Sequence, residues 1–101
     1  MEALKIFYLE VCPYCRKARE AVRELTEANP AYGRVAIEWI EETRSPEIAD
    51  RYDYYRVPSV FWGDEKLYEC SPTDDADKIR REMERALRIA ADRGANTPAK
   101  S

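Results

Sequence analysis

The sequence predicts an α/β domain in which a β-α-β unit is followed by a β-β-α unit, giving a four-stranded mixed sheet flanked by three helices. Strand-length apolar segments alternate with helical patterns, a hairpin signal at Gly63-Asp64 joins two later strands, and a C-x-x-C motif lies at the first strand-to-helix junction. The 101 residues, 45% of them hydrophobic, suffice for one domain and are too few for two. We expect the domain to span residues 1–93 and a flexible tail to span residues 94–101.

The first half of the chain predicts two parallel strands joined by a helix. Residues 3–9 are largely apolar on both faces, which is typical of a central strand covered on each side. Residues 13–28 have apolar positions at three- and four-residue steps, and Asn29-Pro30 should end this helix. Apolar and polar positions alternate in residues 35–39, which predicts a strand nearer the sheet edge. A helix between two strands implies parallel pairing with a right-handed crossover.

The second half predicts a short helix, an antiparallel pair of strands and a long final helix. The short helix should run from residue 45 to about residue 52. Residues 57–62 and 66–70 have the composition of strands and lie on either side of the hairpin signal. Ser71-Pro72 predicts the start of the last helix, with Ser as the N-cap and Pro at the first helical position, and Gly94 predicts its end.

The motif Cys12-Pro13-Tyr14-Cys15 indicates a redox-active dithiol. Cys12 takes the N-cap position of the first helix, where unpaired backbone N–H groups and the positive end of the helix dipole stabilise a thiolate over a thiol. Half of a structural zinc site is the alternative interpretation. Such a site needs four soft ligands, yet the chain has no His, and its only other cysteine is Cys70. We therefore favour a redox pair over a zinc half-site or a chance pair, and we expect no metal ligands.

Charge and hydropathy exclude several classes of partner. The net charge of −3 arises from 17 basic and 20 acidic residues mixed along the chain, without the basic stripe that nucleic acid or anionic lipid would require. No stretch approaches the roughly 20 apolar residues of a membrane span, and the N-terminus lacks the pattern of a secretory signal. Three cysteines do not form the framework of a secreted disulfide scaffold. We expect a cytoplasmic protein with no nucleic-acid or membrane partner.

The order of the elements and the position of the motif resemble the thioredoxin fold, and within that fold the glutaredoxin family. The resemblance covers roughly residues 3 to 92. Its specific parts are Cys12-Pro13-Tyr14-Cys15, which is identical to the dithiol glutaredoxin active site, and Val57-Pro58 at the start of the third strand.

The resemblance implies a role for each of these residues. Cys12 would be the attacking thiolate and Cys15 the resolving thiol, with Pro13 and Tyr14 contacting the substrate beside the sulfur. Val57-Pro58 would be a cis peptide whose neighbouring backbone pairs with the substrate. The implied activity is reduction of disulfides or glutathione mixed disulfides by a monomer that binds no cofactor. Glutathione is then the expected co-substrate, with Asp74 and the last helix holding its γ-glutamyl end.

The chain departs from the glutaredoxin pattern mainly where glutathione would bind. The usual Lys before the motif is replaced by Leu9-Glu10-Val11, the usual Thr before Val-Pro by Arg56, and the Gly-Gly before the last helix is missing. Glutathione carries two carboxylates, so Glu10 should weaken its binding, although Arg56, Arg16 or Lys17 could compensate. A flavoprotein reductase of the thioredoxin-reductase type is therefore the alternative reductant. A non-enzymatic module that carries a metal or an iron–sulfur cluster is the alternative function.

Two further features have both a structural and a functional interpretation. Cys70 is more consistent with a small buried core residue than with a second redox site. The cluster of Tyr52, Tyr54 and Tyr55 could form a docking surface, but we favour partly buried packing in which the hydroxyls reach water.

Overall fold

The computed structural model describes residues 3–96, and the side chains of residues 3–94. The chain forms four strands and four helices in this range. In order they are β1 (Leu4–Tyr8), α1 (Pro13–Ala28), α2 (Pro30–Gly33), β2 (Ile37–Glu41), α3 (Pro46–Ala49), β3 (Ser59–Trp62), β4 (Glu65–Glu69) and α4 (Ala76–Asn96).

The four strands form one mixed sheet in the order β2-β1-β3-β4. β1 pairs with β2 in parallel and with β3 in the antiparallel sense. β3 and β4 are antiparallel, and their connection turns at Gly63, whose φ of 59° is a conformation that favours glycine. The predicted mixed sheet, the central position of the first strand and the edge position of the second are all confirmed.

The two faces of the sheet are covered very differently. The two long helices, α1 and α4, pack against each other and cover one face. The larger apolar core lies between them and the sheet, with Leu4, Ile6, Val22, Val60, Ile79, Met83 and Leu87 among its buried members. On the other face, a small cluster of Phe7, Ile40 and Phe61 is covered by residues of α3 and by tyrosines of the loop that follows it. This second face, covered by only one turn of helix and a loop, borders the site described below.

Two short helices differ from the prediction: one is additional, and the other is shorter than expected. A fourth helix, α2, consists of a single turn after Asn29, whose side chain accepts a hydrogen bond from the backbone N–H of Ala31 at 2.9 Å. The prediction that Asn29-Pro30 ends α1 is confirmed, but the same residues also begin α2. α3 ends at Ala49, earlier than predicted, and Ser45 provides no side-chain cap.

The last helix begins four residues later than predicted and extends past Gly94. Ser71-Pro72 forms a turn in which the N–H of Asp74 donates to the carbonyl of Ser71 at 2.9 Å. Asp75 then caps α4, because its Oδ1 accepts a hydrogen bond from the N–H of Lys78 at 2.8 Å. The prediction that Gly94 ends the helix is wrong, because α4 continues to Asn96.

The predicted tail is described only in its first residues. Residues 94–96 belong to α4, and residues 97–101 lie outside the described part of the chain. Within residues 3–96, no helix is long and apolar enough to cross a membrane.

Candidate active site

Cys12 lies at the start of α1, at the end of the sheet where β1 finishes. It is the N-cap residue, with extended backbone dihedral angles (φ −83°, ψ 124°), and Pro13 follows at the first helical position. The N–H of Arg16 donates to the carbonyl of Cys12 at 3.1 Å, which closes the first turn of the helix. The thiol of Cys12 makes no capping hydrogen bond, and the residue is half-buried. The sulfur is therefore positioned at the helix N-terminus as predicted, and it is accessible.

Cys15 lies one turn further along α1 and is almost completely buried. Its relative exposure is 1%, and its sulfur accepts a hydrogen bond from the N–H of Leu9 at 3.4 Å. Burial, supported by the neighbouring thiol of Cys12, raises the pKa of Cys15 to about 12, although the hydrogen bond from Leu9 opposes the rise. Cys15 is thus a protonated thiol in the resting protein, next to a more accessible one.

The Val57-Pro58 peptide is cis, as the resemblance implied. Ser59, the first residue of β3, lies opposite Phe7 near the end of β1. This peptide is therefore at the same end of the sheet as the loop that carries Cys12. Its position is fixed on the far side as well, since the N–H of Cys70 donates to the carbonyl of Pro58 at 3.0 Å. The topology therefore brings the dithiol and the cis peptide to the same end of the sheet.

Tyr14 links the motif to the segment that precedes α4. Its hydroxyl donates a hydrogen bond to the carbonyl of Pro72 at 3.0 Å. The ammonium group of Lys17 lies 5.8 Å from the centre of the Tyr14 ring, within the range of a cation–π contact. The predicted substrate-contacting ring is therefore held in place by the turn at residues 71–74.

Comparison with known proteins supports the fold and leaves the family open. No protein-family model matches the sequence, and no curated protein matches it. Among solved structures, the chain is similar to a thioredoxin variant from Halobacterium salinarum NRC-1. The two share 23% sequence identity with a TM-score of 0.55, and the match covers 85% of this chain and 74% of that one. The chain has the thioredoxin fold. Its narrower resemblance to glutaredoxins stays a prediction.

Asp74, predicted to hold the γ-glutamyl end of glutathione, lies in the turn before α4 of the thioredoxin fold. Its Oδ2 accepts hydrogen bonds from the Tyr68 hydroxyl at 2.5 Å and from the N–H of Ser71 at 3.1 Å. These bonds, that of Tyr68 first, lower the pKa of Asp74, so the carboxylate is charged at neutral pH. Within the described residues, the hydrogen bonds to this group fall on Oδ2, and Oδ1 is left for another donor.

Glu10 is engaged in a way that the sequence did not indicate. Its carboxylate pairs with the Arg44 guanidinium at 2.6 Å, and its backbone N–H donates to the carboxylate of Glu41 at 3.1 Å. Glu10 and Arg44 are separated by 34 residues, so no local pattern could have found the pair. The negative charge placed near Cys12 by the sequence is thus accompanied by a positive one.

Cys70 is buried beside β3 and β4, with a relative exposure of 2%. Burial raises the pKa of its thiol, and the thiol lies 3.5 Å from the carbonyl of Ser71. This burial is what the packing interpretation expected. Among the described residues, no set of three or more His, Cys, Asp and Glu side chains is arranged to hold a metal ion.

Proposed function

We propose that the protein is a glutaredoxin-like thiol-disulfide oxidoreductase that uses Cys12 and Cys15. The observation that carries the proposal is the unequal pair at the start of α1. Cys12 is accessible at a helix N-terminus, and Cys15 is buried and protonated beside it. The cis peptide before Pro58 lies at the same end of the sheet, where extended substrate backbone can pair with it. An accessible nucleophile with a protected second thiol is the arrangement that a two-step disulfide exchange needs.

The reaction follows from this inequality. The Cys12 thiolate attacks one sulfur of the substrate disulfide, the substrate S–S bond breaks, and the departing sulfur leaves as a thiolate that takes up a proton. The substrate is then joined to Cys12 by a mixed disulfide. Cys15 loses its proton and attacks the Cys12 sulfur, which releases the second substrate thiol and leaves a Cys12–Cys15 disulfide. The substrate has gained two electrons, and a reductant must return two electrons to the protein.

Glutathione is the co-substrate that we propose, and two contacts support it. The Oδ1 atom of Asp74 is available for the amino group of a γ-glutamyl moiety, beside a carboxylate that stays charged. Arg44 accompanies Glu10, which reduces the repulsion that a glutathione carboxylate would meet near the motif. The missing Lys and Gly-Gly keep a flavoprotein disulfide reductase as the alternative reductant. Disulfide-containing proteins are the proposed substrates, and a monomer in the cytoplasm is the proposed state.

A coupled assay tests both the chemistry and the reductant. The oxidation of NADPH is followed with hydroxyethyl disulfide as substrate, once with glutathione and glutathione reductase and once with thioredoxin reductase. We expect Cys12→Ser to abolish the activity, because no other accessible thiol starts the exchange. Cys15→Ser should retain reduction of glutathione mixed disulfides and trap protein substrates as stable adducts, since the second step is lost.

Cys70→Ser is the matched control, because it also removes one buried thiol but lies outside the motif. It should keep the wild-type activity. An active Cys12→Ser variant with an inactive Cys15→Ser variant would reverse the assignment of roles. A wild-type protein that is inactive with both reductants would refute the proposed function.

A further inference from the structure

A groove of about 600 Å³ lies on the thinly covered face of the sheet, between the end of β2 and the loop that leads to the cis peptide. Nine residues line it, and they combine aromatic rings with carboxylates. They are Glu42, Thr43, Pro46, Ala49, Asp50, Tyr52, Asp53, Tyr54 and Tyr55. None of the nine is Lys or Arg. The groove is therefore an aromatic surface with a negative rim.

The groove is continuous with both segments that bring residues to the redox site. On one side, Glu42 and Thr43 follow directly after β2, and Arg44 next to them pairs with Glu10 in the loop that leads to Cys12. On the other side, Tyr55 lies three residues before Pro58 of the cis peptide. Even when fully extended, three residues span at most about 10 Å, so Tyr55 lies within that distance of the cis peptide. A polypeptide whose disulfide meets Cys12 can therefore also lie in the groove.

The walls of the groove are held in position before any partner binds. The Tyr54 hydroxyl donates to the Glu42 carboxylate at 2.7 Å. The backbone N–H groups of Tyr55 and Arg56 donate to one oxygen of Glu69 at 2.7 and 2.8 Å. The Tyr55 side chain is nevertheless 90% exposed, which is unusual for a ring of this size. The backbone that carries this exposed ring is therefore held in place, so less backbone freedom is lost when a partner binds.

The charge at the groove specifies what kind of segment would bind. Asp50 and Asp53 are exposed, and within residues 3–96 neither carboxylate forms an ion pair or a hydrogen bond. The positive charge of Lys66 interacts with the negative charge of Asp53, but the Lys66 ammonium group is hydrogen-bonded to Glu69 at 2.7 Å. The groove thus offers two negative charges beside tyrosine rings. Arginine suits this surface, because its guanidinium pairs with carboxylates and also stacks on aromatic faces.

We propose that this groove binds an arginine-containing segment of the protein disulfide substrate, and so selects substrates with basic residues three or four positions from the reactive cystine. The spacing follows from the upper limit of about 10 Å between Tyr55 and the cis peptide, a separation that three extended substrate residues can span. The proposal rests on the proposed function, and it adds a substrate class to it. It also revises the packing interpretation of the tyrosines, because Tyr55 is exposed while Tyr52 and Tyr54 are half-buried against the sheet.

The kinetic test compares three disulfide-bridged peptides of equal length. They carry two arginines, two glutamines or two glutamates at the third and fourth positions from the cystine. We expect the wild-type kcat/KM for the arginine peptide to exceed that for the glutamine peptide by roughly three- to tenfold, because each exposed charge contact contributes modestly. The glutamate peptide should be the poorest substrate. The preference should shrink as salt is added, because the charges are exposed.

Two variants locate the preference. Asp50→Asn combined with Asp53→Asn should bring the arginine peptide down to the glutamine level without changing the rate with hydroxyethyl disulfide. Glu20→Gln combined with Asp92→Asn is the control, since it removes the same two charges from exposed positions on α1 and α4. It should keep the preference. Equal rates with the arginine and glutamine peptides, or an equal loss in the control, would overturn the proposal.

A binding measurement separates failure of the groove from failure of the proposed function. A cysteine-free version of the arginine peptide is titrated into the protein, and the backbone NMR shifts of residues 50–55 are followed. Shift changes in the wild type that are lost in the Asp50→Asn and Asp53→Asn variant support the groove even if no peptide disulfide is reduced. Shift changes that are absent from residues 50–55 overturn the proposal, whatever the protein does to disulfides.

Discussion

The burial of Cys15 predicts that this thiol is nearly inert toward alkylating agents in the folded protein. With a pKa of about 12, only about one molecule in 10⁵ carries the thiolate at pH 7. An ordinary cysteine with a pKa of about 8.5 is roughly 3% thiolate at this pH, a ratio of about 3000. A thiolate of higher pKa is also the better nucleophile, which returns a factor of about 30. The net expectation is a rate about a hundredfold below that of the reference, before any loss of access is counted.

The assay is alkylation of Cys15 by iodoacetamide at pH 7, with N-acetylcysteine as the reference thiol. It uses a Cys12→Ser variant to remove the competing thiol. The burial that dominates the raised pKa of Cys15 is kept, but the contribution of Cys12 is lost, so the hundredfold reduction is an upper limit for the effect of the pKa in this variant. Mass spectrometry of the digested protein assigns the label to Cys15 or to Cys70. Because Cys15 is only 1% exposed, the reagent reaches it only when the structure opens locally, and this requirement should slow the reaction further.

The same variant unfolded in urea provides the control, since both thiols are then exposed and should react at the reference rate. A folded protein whose Cys15 reacts within tenfold of the reference would refute the reasoning. It would mean that the thiol is neither protonated nor protected, and the two-step mechanism would lose its protected second thiol.

Two further predictions concern the charges near the motif. Glu10→Lys should raise kcat/KM with a glutathionylated substrate by up to roughly tenfold, and this gain should shrink in salt. The double variant Glu10→Lys with Arg44→Glu exchanges the two charges of the pair and should restore the wild-type value, so a gain that persists in it would contradict the charge argument. Asp74→Asn should lower stability at pH 7. The pKa of Asp74 is lower in the folded protein than in the unfolded chain, where it is about 3.9, so the carboxylate stabilises the fold at pH values above that unfolded pKa. This stabilisation is lost as the pH falls through the folded pKa. Urea midpoints of wild type and variant should therefore converge below about pH 4, and a constant difference down to pH 2 would show that the charge is not responsible.

The parts of the fold that follow from local patterns were predictable from the sequence. The strand-to-helix junction at Cys12 follows from an apolar run, a proline and an amphipathic helix. The parallel pair of β1 and β2 follows from the rule of β-α-β connection, and the antiparallel pair of β3 and β4 follows from the hairpin signal. The motif placed the dithiol, and the resemblance supplied the cis peptide at Pro58. Each of these signals lies within a few residues of the feature that it predicts.

The parts that failed depend on competition between neighbouring signals or on contacts between distant residues. Ser71-Pro72 has the sequence of a helix start, but Asp75 provides a better cap four residues later and the earlier residues form a turn. Gly94 did not end α4, because a glycine tolerates the helical conformation at a cost of only about 1 kcal/mol. The pair of Glu10 and Arg44 needs the whole sheet to bring it together.

The difference in burial between the two thiols also determines how the protein withstands peroxide. Oxidation of cysteine follows thiolate character and exposure, so Cys12 takes the first oxygen atom and Cys15 is spared. The sulfenic acid formed on Cys12 then has a reduced thiol one helical turn away. Condensation with Cys15 expels water and leaves a Cys12–Cys15 disulfide, the same one that the proposed mechanism forms, and the proposed reductant would reopen it. The buried thiol would therefore protect Cys12 from irreversible oxidation, at the cost of one cycle of the proposed reaction.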